Sequence, residues 1–258
     1  MEVRDQLQRL INLPQTPNRI ISLVPSQTEL LVDLGLRDNL VGITKFCVHP
    51  SDLRTNISVV GGTKNINLEK IKALKPDLVI CNKEENTEEI VQTLAQFVPV
   101  WVSDIYSIKD VLDMIVQLGA VLSVAERANE LSEEITAKHD TFVNFMKERE
   151  AKKVAYVIWK KPYMVAGNKT FINTLLHINK FNNIFETRSR RYPEVTMEDL
   201  SRADMVLLSS EPYPFKEVNV LELKNALQKE VRLVDGEFFS WYGARLAKAF
   251  TYFRTLHA

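Results

Sequence analysis

The feature that most constrains this chain is a stretch from Ser123 to Glu150 that holds no glycine or proline and repeats Val124, Ala128, Leu131, Ile135, Phe142 and Phe145 at helical spacing. It predicts one long helix. Ser123 with Glu126 forms a capping-box pattern at its start, and a helix of that length spans about 40 Å. That length suits either a strut between two lobes or an ordinary long core helix.

On both sides of this segment the pattern is alternating strand and helix. Residues 19–26 form a short β-branched run closed by Pro25, and the following SQTELLVDLGL reads as a helix ending at Gly35. Strands are expected at 40–44, 77–81, 98–104 and 153–159, with Asn67 as the cap of a helix that Pro76 stops. The halves also echo each other. The stretch NLEKIKALKPDLVICNKEE parallels TMEDLSRADMVLLSSEPY, so that Asp77 and Asp204 open strands and Glu84 and Glu211 follow seven residues on, while Asp104 and Asp235 end later strands. The expected fold is α/β, with two Rossmann-like lobes carrying parallel sheets: residues 1–122, a connecting helix at 123–150, and residues 151–258. A coincidence of generic α/β patterns would give the same echo.

Charge and cysteine content narrow the function. Lys plus Arg equals Asp plus Glu at 33 each, so bulk charge favours neither nucleic acid nor an anionic membrane, and any selectivity is local. Cys47 and Cys81 have no disulfide or zinc-ligand spacing. The N-terminus carries acidic residues and no apolar run, so the chain as encoded is expected in the cytoplasm, or in the periplasm if a leader was removed or replaced. No stretch approaches the length of a membrane span, and no membrane insertion is expected.

Catalytic patterns are not recognisable: GxSxG, the Walker loop, HExxH and GxGxxG do not occur, and Gly61-Gly62 in VGGTKN is a weak phosphate signal. The expectation is a binding protein and not an enzyme, with no cofactor and no direct metal site. Four dispersed histidines cannot build a metal cage. In the loop KFCVHP, however, Cys47 or His49 can approach the metal of a bound chelate, His49 as an axial ligand, although a loop histidine bonded to backbone is an equal reading. Aromatics gather in loop-like stretches of the second half: Trp159, Tyr163, Tyr192, Phe238, Phe239, Trp241 and Tyr242. Beside Arg190, Arg191 and Arg245 their faces suit a large, flat, anionic ligand, through stacking and bidentate hydrogen bonds. Some of them, Phe238 and Phe239 first, also suit an ordinary core.

The run RIISLVPSQTELLVDLGL followed by LVGIT, then NLEKIKALKPDLVI and AGN…NNIFE…RYPEVTMEDL, resembles in order and spacing the long-helix class of substrate-binding proteins of ABC importers, similar to cobalamin- and ferric-siderophore-binding proteins. The resemblance runs over nearly the whole chain. It implies a ligand captured in a cleft between two lobes, a cobalamin, haem or ferric siderophore as that ligand, and a permease dimer with its ATPase as partners. Carried over by position, the cobalamin binders' aromatics fall at Phe46 and His49, at Asn82, and at Tyr163, Tyr192 and Trp241. His49 and Asn82 are not aromatic rings of that kind, which keeps other chelates open. The resemblance also implies permease-docking glutamates: Glu88, with Glu84 and Glu85 near it, and Glu211 as the second. The remaining alternatives are a cytoplasmic chelate carrier or sensor, an intracellular enzyme acting on a corrinoid or porphyrin, and an interaction module with a vestigial cleft.

Overall fold

The computed structural model describes residues 1–258. The chain divides into two compact units, the first comprising Met1–Ile105, Lys109–Thr136 and Trp241–Leu246, the second Tyr106–Ile108, Ala137–Ser240 and Ala247–Ala258. Each carries its own sheet.

The first unit begins with a hairpin of β1 (Glu2–Arg4) and β2 (Leu10–Asn12) and continues through β3 (Ile20–Ser22), α1 (Pro25–Asp33), β4 (Leu40–Ile43), α2 (Leu53–Asn56) and β5 (Ser58–Val59). Then come α3 (Leu68–Ala73), β6 (Leu78–Asn82), α4 (Glu88–Ala95), β7 (Val100–Ser103), α5 (Ile108–Val121) and α6 (Ala125–Met146). The five main strands form a parallel sheet in the order β5-β4-β3-β6-β7. Helices cover both faces of such sheets, which is why β3 and β6 are buried at every residue. Ile21, Val79, Val102, Ile71 and Leu94 sit in its core.

Local signals set the helix ends. Asn67 accepts from Lys70 N at 2.9 Å and starts α3. Gly35 at φ 83° closes α1, with Leu36 N bonded to Leu31 O and Gly35 N to Val32 O. The same motif closes α5, where Val124 N reaches Gly119 O and Ser123 N reaches Ala120 O, with Ser123 at φ 58°. Ser123 is therefore the left-handed residue that ends α5, and the cap position of α6 falls to Val124, whose carbonyl accepts from Ala128 N. This corrects the expected capping box. Helix α5 lies in a stretch to which the sequence pattern assigned no element, and α6 is shorter at both ends than the 123–150 expectation. Its Ala128, Leu131 and Ile135 are buried within the first unit, and Phe142 and Met146 within the second. Gly119 is required where α5 meets α6, since a Cβ there would lie 2.3 Å from the Ala128 Cβ.

The free edge of β7 is closed by side chains of the β1–β2 turn. Val102 N donates to Asp5 Oδ2 at 3.2 Å, Arg9 Nη2 to Val100 O at 2.7 Å, and Asp104 N to Gln6 Oε1 at 3.0 Å. An edge so occupied cannot pair with another strand.

The second unit contains β8 (Lys152–Trp159), β9 (Tyr163–Val165), α7 (Phe171–Ile178), β10 (Phe181–Asn183), β11 (Glu194–Val195), α8 (Met197–Ser201) and β12 (Met205–Ser209). It ends with α9 (Glu217–Leu227), β13 (Glu230–Val234), α10 (Gly236–Ser240) and α11 (Leu246–Thr255). Its sheet runs β11-β9-β8-β12-β13, with β10 also on β8; β10, β12 and β13 join in parallel, β9 and β11 antiparallel. The sheet is thus mixed at one side. The internal echo has a shared hydrogen-bonding device. Asp77 takes Asn18 N and Arg19 N at 2.9 Å each and gives its own N–H to Arg19 O, while Asp204 takes Lys153 N at 3.1 Å and gives its N–H to Lys153 O. In both units the aspartate before one strand fixes the start of its parallel neighbour.

The tail of the second unit is anchored by His257, which stacks on Phe181 at 4.9 Å and bonds Asn179 Oδ1 through Nε2 at 3.0 Å. Burial first, then the charges of Arg149, Arg232 and Lys152, pull its pKa down to about 4. The folded state therefore binds this proton less readily than the unfolded chain, whose histidine titrates near ~6.5. Stability is full above that value and falls as pH drops toward 4. Because the ring is half-buried, we expect a loss of only about 1 kcal/mol. Urea denaturation of wild type and His257→Phe across that interval checks it, the variant losing this part of the acid slope.

Candidate functional site

In parallel α/β sheets ligands meet the loops after the carboxyl ends of the strands. In the first unit the loop after β4 places Phe46 in solvent at 49% exposure, with the Lys45 ammonium 5.1 Å from its ring centroid. His49 is half-buried and meets Trp241 edge to face at 5.4 Å between centroids. Between them in sequence, Cys47 points inward. It is fully buried, its Sγ lies 3.1 Å from Thr28 Oγ1 and 3.3 Å from Thr44 Oγ1, and desolvation pushes the thiol pKa up against those bonds. A thiol so held cannot reach a ligand's metal as a thiolate, which corrects that expectation.

Asn82 is corrected in the same way. It is 2% exposed at the end of β6, its Oδ1 accepts from Glu84 N and Glu85 N at 2.8 and 3.1 Å, and its Nδ2 donates to Ser103 Oγ at 2.9 Å. All its polar capacity shapes the acidic loop. Asn86, which the sequence pattern did not single out, extends this scaffold: Oδ1 accepts from Asn82 N and Nδ2 donates to Thr63 O at 2.8 Å.

Arg245 is also spoken for. Its Nε and Nη2 each donate to Glu29 at 2.9 Å, both side chains are 11% exposed, and the guanidinium lies 5.0 Å from the Trp241 ring centroid. A bidentate pair of this kind leaves little of the charge for a ligand carboxylate. Trp241 and Tyr242 are 8% and 7% exposed. Burial raises the Tyr242 phenol well above its ordinary pKa, Glu85 and Glu84 adding to the effect while Ser26 and Ser103 oppose it. The phenol therefore stays neutral.

In the second unit Trp159 ends β8 at 40% exposure and meets Tyr213 edge to face at 5.5 Å; Tyr213 in turn contacts Phe215 at 4.6 Å. Tyr163 on β9 is half-buried against the core, which raises its phenol pKa while Lys160 opposes the shift. Lys160 itself bonds Glu222 at 2.5 Å. Arg190 is exposed, and Tyr192 goes with Arg191, whose guanidinium lies 5.4 Å from the Tyr106 ring and 6.0 Å from the Tyr192 ring. Tyr106 is remote in sequence from this group, and no local signal joined it to Tyr192. Gly167 carries the segment: its N–H bonds Arg191 O at 2.7 Å, and a Cβ there would come within 2.9 Å of Arg190 O.

The glutamates differ in setting. Glu88 is exposed in the first turn of α4 behind the cap Thr87, and accepts from Gln92 Nε2 at 3.0 Å. Glu84 is half-buried beside it in the chain. Glu211, half-buried, accepts from Ser240 Oγ at 2.5 Å.

Comparison with known proteins places this arrangement. The chain is 27% identical over 194 residues to a vitamin B12-binding protein of Vibrio campbellii, covering 74% of this chain and 70% of that one. The periplasmic vitamin B12 binding protein of Vibrio cholerae superposes with a TM-score of 0.81 at 21% identity, covering 94% and 97% of the two chains. A periplasmic heme binding protein from Pseudomonas aeruginosa gives 0.78 at 21% identity over 93% and 92%. These structural likenesses establish the fold. The family model described as periplasmic binding protein matches residues 20–216, and the chain belongs to that family.

Proposed function

We propose that this protein is the ligand-capturing component of an ABC-type importer, that its ligand is a metal chelate of the cobalamin, haem or ferric-siderophore kind, and that it binds that ligand without altering it. The family membership supports a binding role, and relatives named for vitamin B12 support the chelate class. The observation that carries the reading is the exposure of Phe46, a large ring at 49% exposure in the loop after β4. Flat apolar faces in such positions suit a macrocycle or a chelate's aromatic arms. His49, half-buried in the loop after β4, is the candidate axial ligand for the metal of such a chelate.

In this reading the permease and its ATPase are the partners, Glu88 with Glu84 engages the permease from the first unit and Glu211 from the second, and the protein works outside the inner membrane. Absorbance titration with cobalamin, haemin and ferric siderophores tests the chelate assignment. Phe46→Ala should weaken the preferred chelate about tenfold, the loss of one stacked ring, while the melting temperature stays unchanged. Unaltered affinity would remove this ring from the site.

A further inference from the structure

Parallel strands give a sheet two unlike ends, and ligands meet the carboxyl end. The amino end of the second unit's sheet is rich in cations. Lys152 and Lys153 open β8, and Lys180 precedes β10, which runs parallel to β8. Lys147 and Arg149 stand in the turn between α6 and β8, and Arg254 lies in the last turn of α11.

Hydrogen bonds join these residues into one face of a single unit. Lys180 Nζ donates to Lys147 O and Arg149 O at 2.6 and 2.9 Å, and Lys152 N donates to Lys180 O at 3.0 Å. Arg149 Nη1 donates to His257 O at 2.8 Å. The guanidiniums of Arg149 and Arg254 lie 4.2 and 4.6 Å from the centroid of one ring, that of Phe145.

Few carboxylates answer this charge. Glu230 is taken by Arg232 Nη2 at 2.5 Å, with Lys152 Nζ 3.7 Å away, and Asp204 accepts from Lys153 N at 3.1 Å. Glu148 and Glu150 remain exposed in the turn after α6. Lys147, Arg149, Lys153 and Arg254 are in no ion pair. The imbalance reaches His257, where, after burial, the charges of Arg149, Arg232 and Lys152 hold the pKa down. It is local, since Lys plus Arg equals Asp plus Glu over the whole chain.

The spread of these charges points to the kind of partner. They come from three stretches of chain on long side chains, five of the six residues exposed, and so match a plane of negative charge better than one small anion. Protein interfaces are poor in lysine and centre on aromatic residues. Here lysines predominate, and the Phe145 ring is half-buried beside the guanidiniums. An anionic bilayer needs only cations near its surface, each strengthening the attraction about fivefold.

We propose that the amino-end face of the second unit is a docking surface for an anionic phospholipid bilayer, with Lys147, Arg149, Lys152, Lys153 and Arg254 as its contacts. The attachment is electrostatic, without insertion, and is released by salt. In that orientation the carboxyl ends of β8 and β12, where Trp159 and Glu211 lie, face away from the bilayer. The bilayer-bound protein therefore keeps this end of the unit open to the medium.

Co-sedimentation of the full chain with vesicles tests this. Wild type should pellet at low salt with vesicles of phosphatidylcholine and about one third phosphatidylglycerol, and stay in solution with phosphatidylcholine alone. It should come off at about 0.5 M sodium chloride, where screening shortens the reach of exposed charges to a few ångström. K147Q/K153Q removes two ammonium groups that pair with nothing in the fold and should weaken partitioning about ten- to thirtyfold. K224Q/K248Q, with the same change in net charge at exposed positions elsewhere on the second unit, should match wild type. Circular dichroism and melting confirm the folding of each. Wild type that ignores anionic vesicles, or pellets equally with both kinds, overturns the proposal, as does equal partitioning of wild type and K147Q/K153Q. Tight binding to duplex DNA that K147Q/K153Q abolishes, with vesicles left unbound, overturns it in favour of a nucleic-acid partner. The proposal is independent of the chelate: chelate affinity should be the same in all three proteins, so failure here leaves that reading untouched.

Discussion

Asp5→Ala is expected to cost about 2–4 kcal/mol, because it leaves buried backbone donors without their acceptor, while the ion-pair partner Arg9 is a third exposed and regains water. Asp5 is 1% exposed. Its carboxylate accepts from Leu7 N and Arg9 N at 3.0 Å each, Arg9 Nε at 2.8 Å and Val102 N at 3.2 Å. Truncation therefore strands donors of the β1–β2 turn and uncovers the last strand of the first unit's sheet in one step. Asp5→Asn keeps the shape and part of the accepting capacity, and should lose roughly half as much. Urea denaturation gives the values, and light scattering should show faster aggregation of the alanine variant through the opened edge. A loss under 1 kcal/mol would mean that β7 is held by its core contacts alone.

The second large effect is expected at Glu29. With both side chains 11% exposed, Glu29→Ala leaves the Arg245 guanidinium without its bidentate acceptor, at a cost of about 3 kcal/mol. The double variant Glu29→Leu with Arg245→Met should recover much of that loss, because an apolar pair of similar volume escapes the desolvation cost of two charges. If Arg245 were instead a ligand-gripping cation, Arg245→Met alone would abolish chelate binding and leave stability nearly intact. The structure predicts the reverse order of effects: stability falls first, and binding changes only through the Trp241 ring that the guanidinium covers.

These two residues show where reading a sequence stops. Short-range chemistry was legible: the buried β-branched runs became strands, Asn67 and Gly35 marked helix ends, and the echo of Asp77 in Asp204 corresponds to one hydrogen-bonding device used twice. Partnerships across the chain were not. Glu29 and Arg245 lie 216 positions apart, and Asp5 meets Val102 across 97, so neither pair leaves a local pattern. Ser123 shows a subtler failure, since its type suits a helix start while its left-handed backbone ends the preceding helix. At the site, loops after strands were identifiable, yet the direction of a side chain was not. Phe46 faces solvent and Cys47, one residue on, is fully buried. Asn82 is likewise occupied by its own loop. The polar residue types were right for ligand contact, and competing backbone donors decided their use.

Binding linkage tests the central claim most directly. The melting temperature of the full chain is measured alone and with cobalamin, haemin and ferric siderophores, each raised to about a hundred times its dissociation constant or to its solubility limit. A chelate that binds the folded state only contributes about 2.7 kcal/mol at that ratio, a rise of about 5 to 10 °C for a chain of this size, and it should be recovered chemically unchanged. A melting temperature that stays constant across all three classes would contradict the account, and a chelate recovered in altered form would contradict its claim of binding without chemistry.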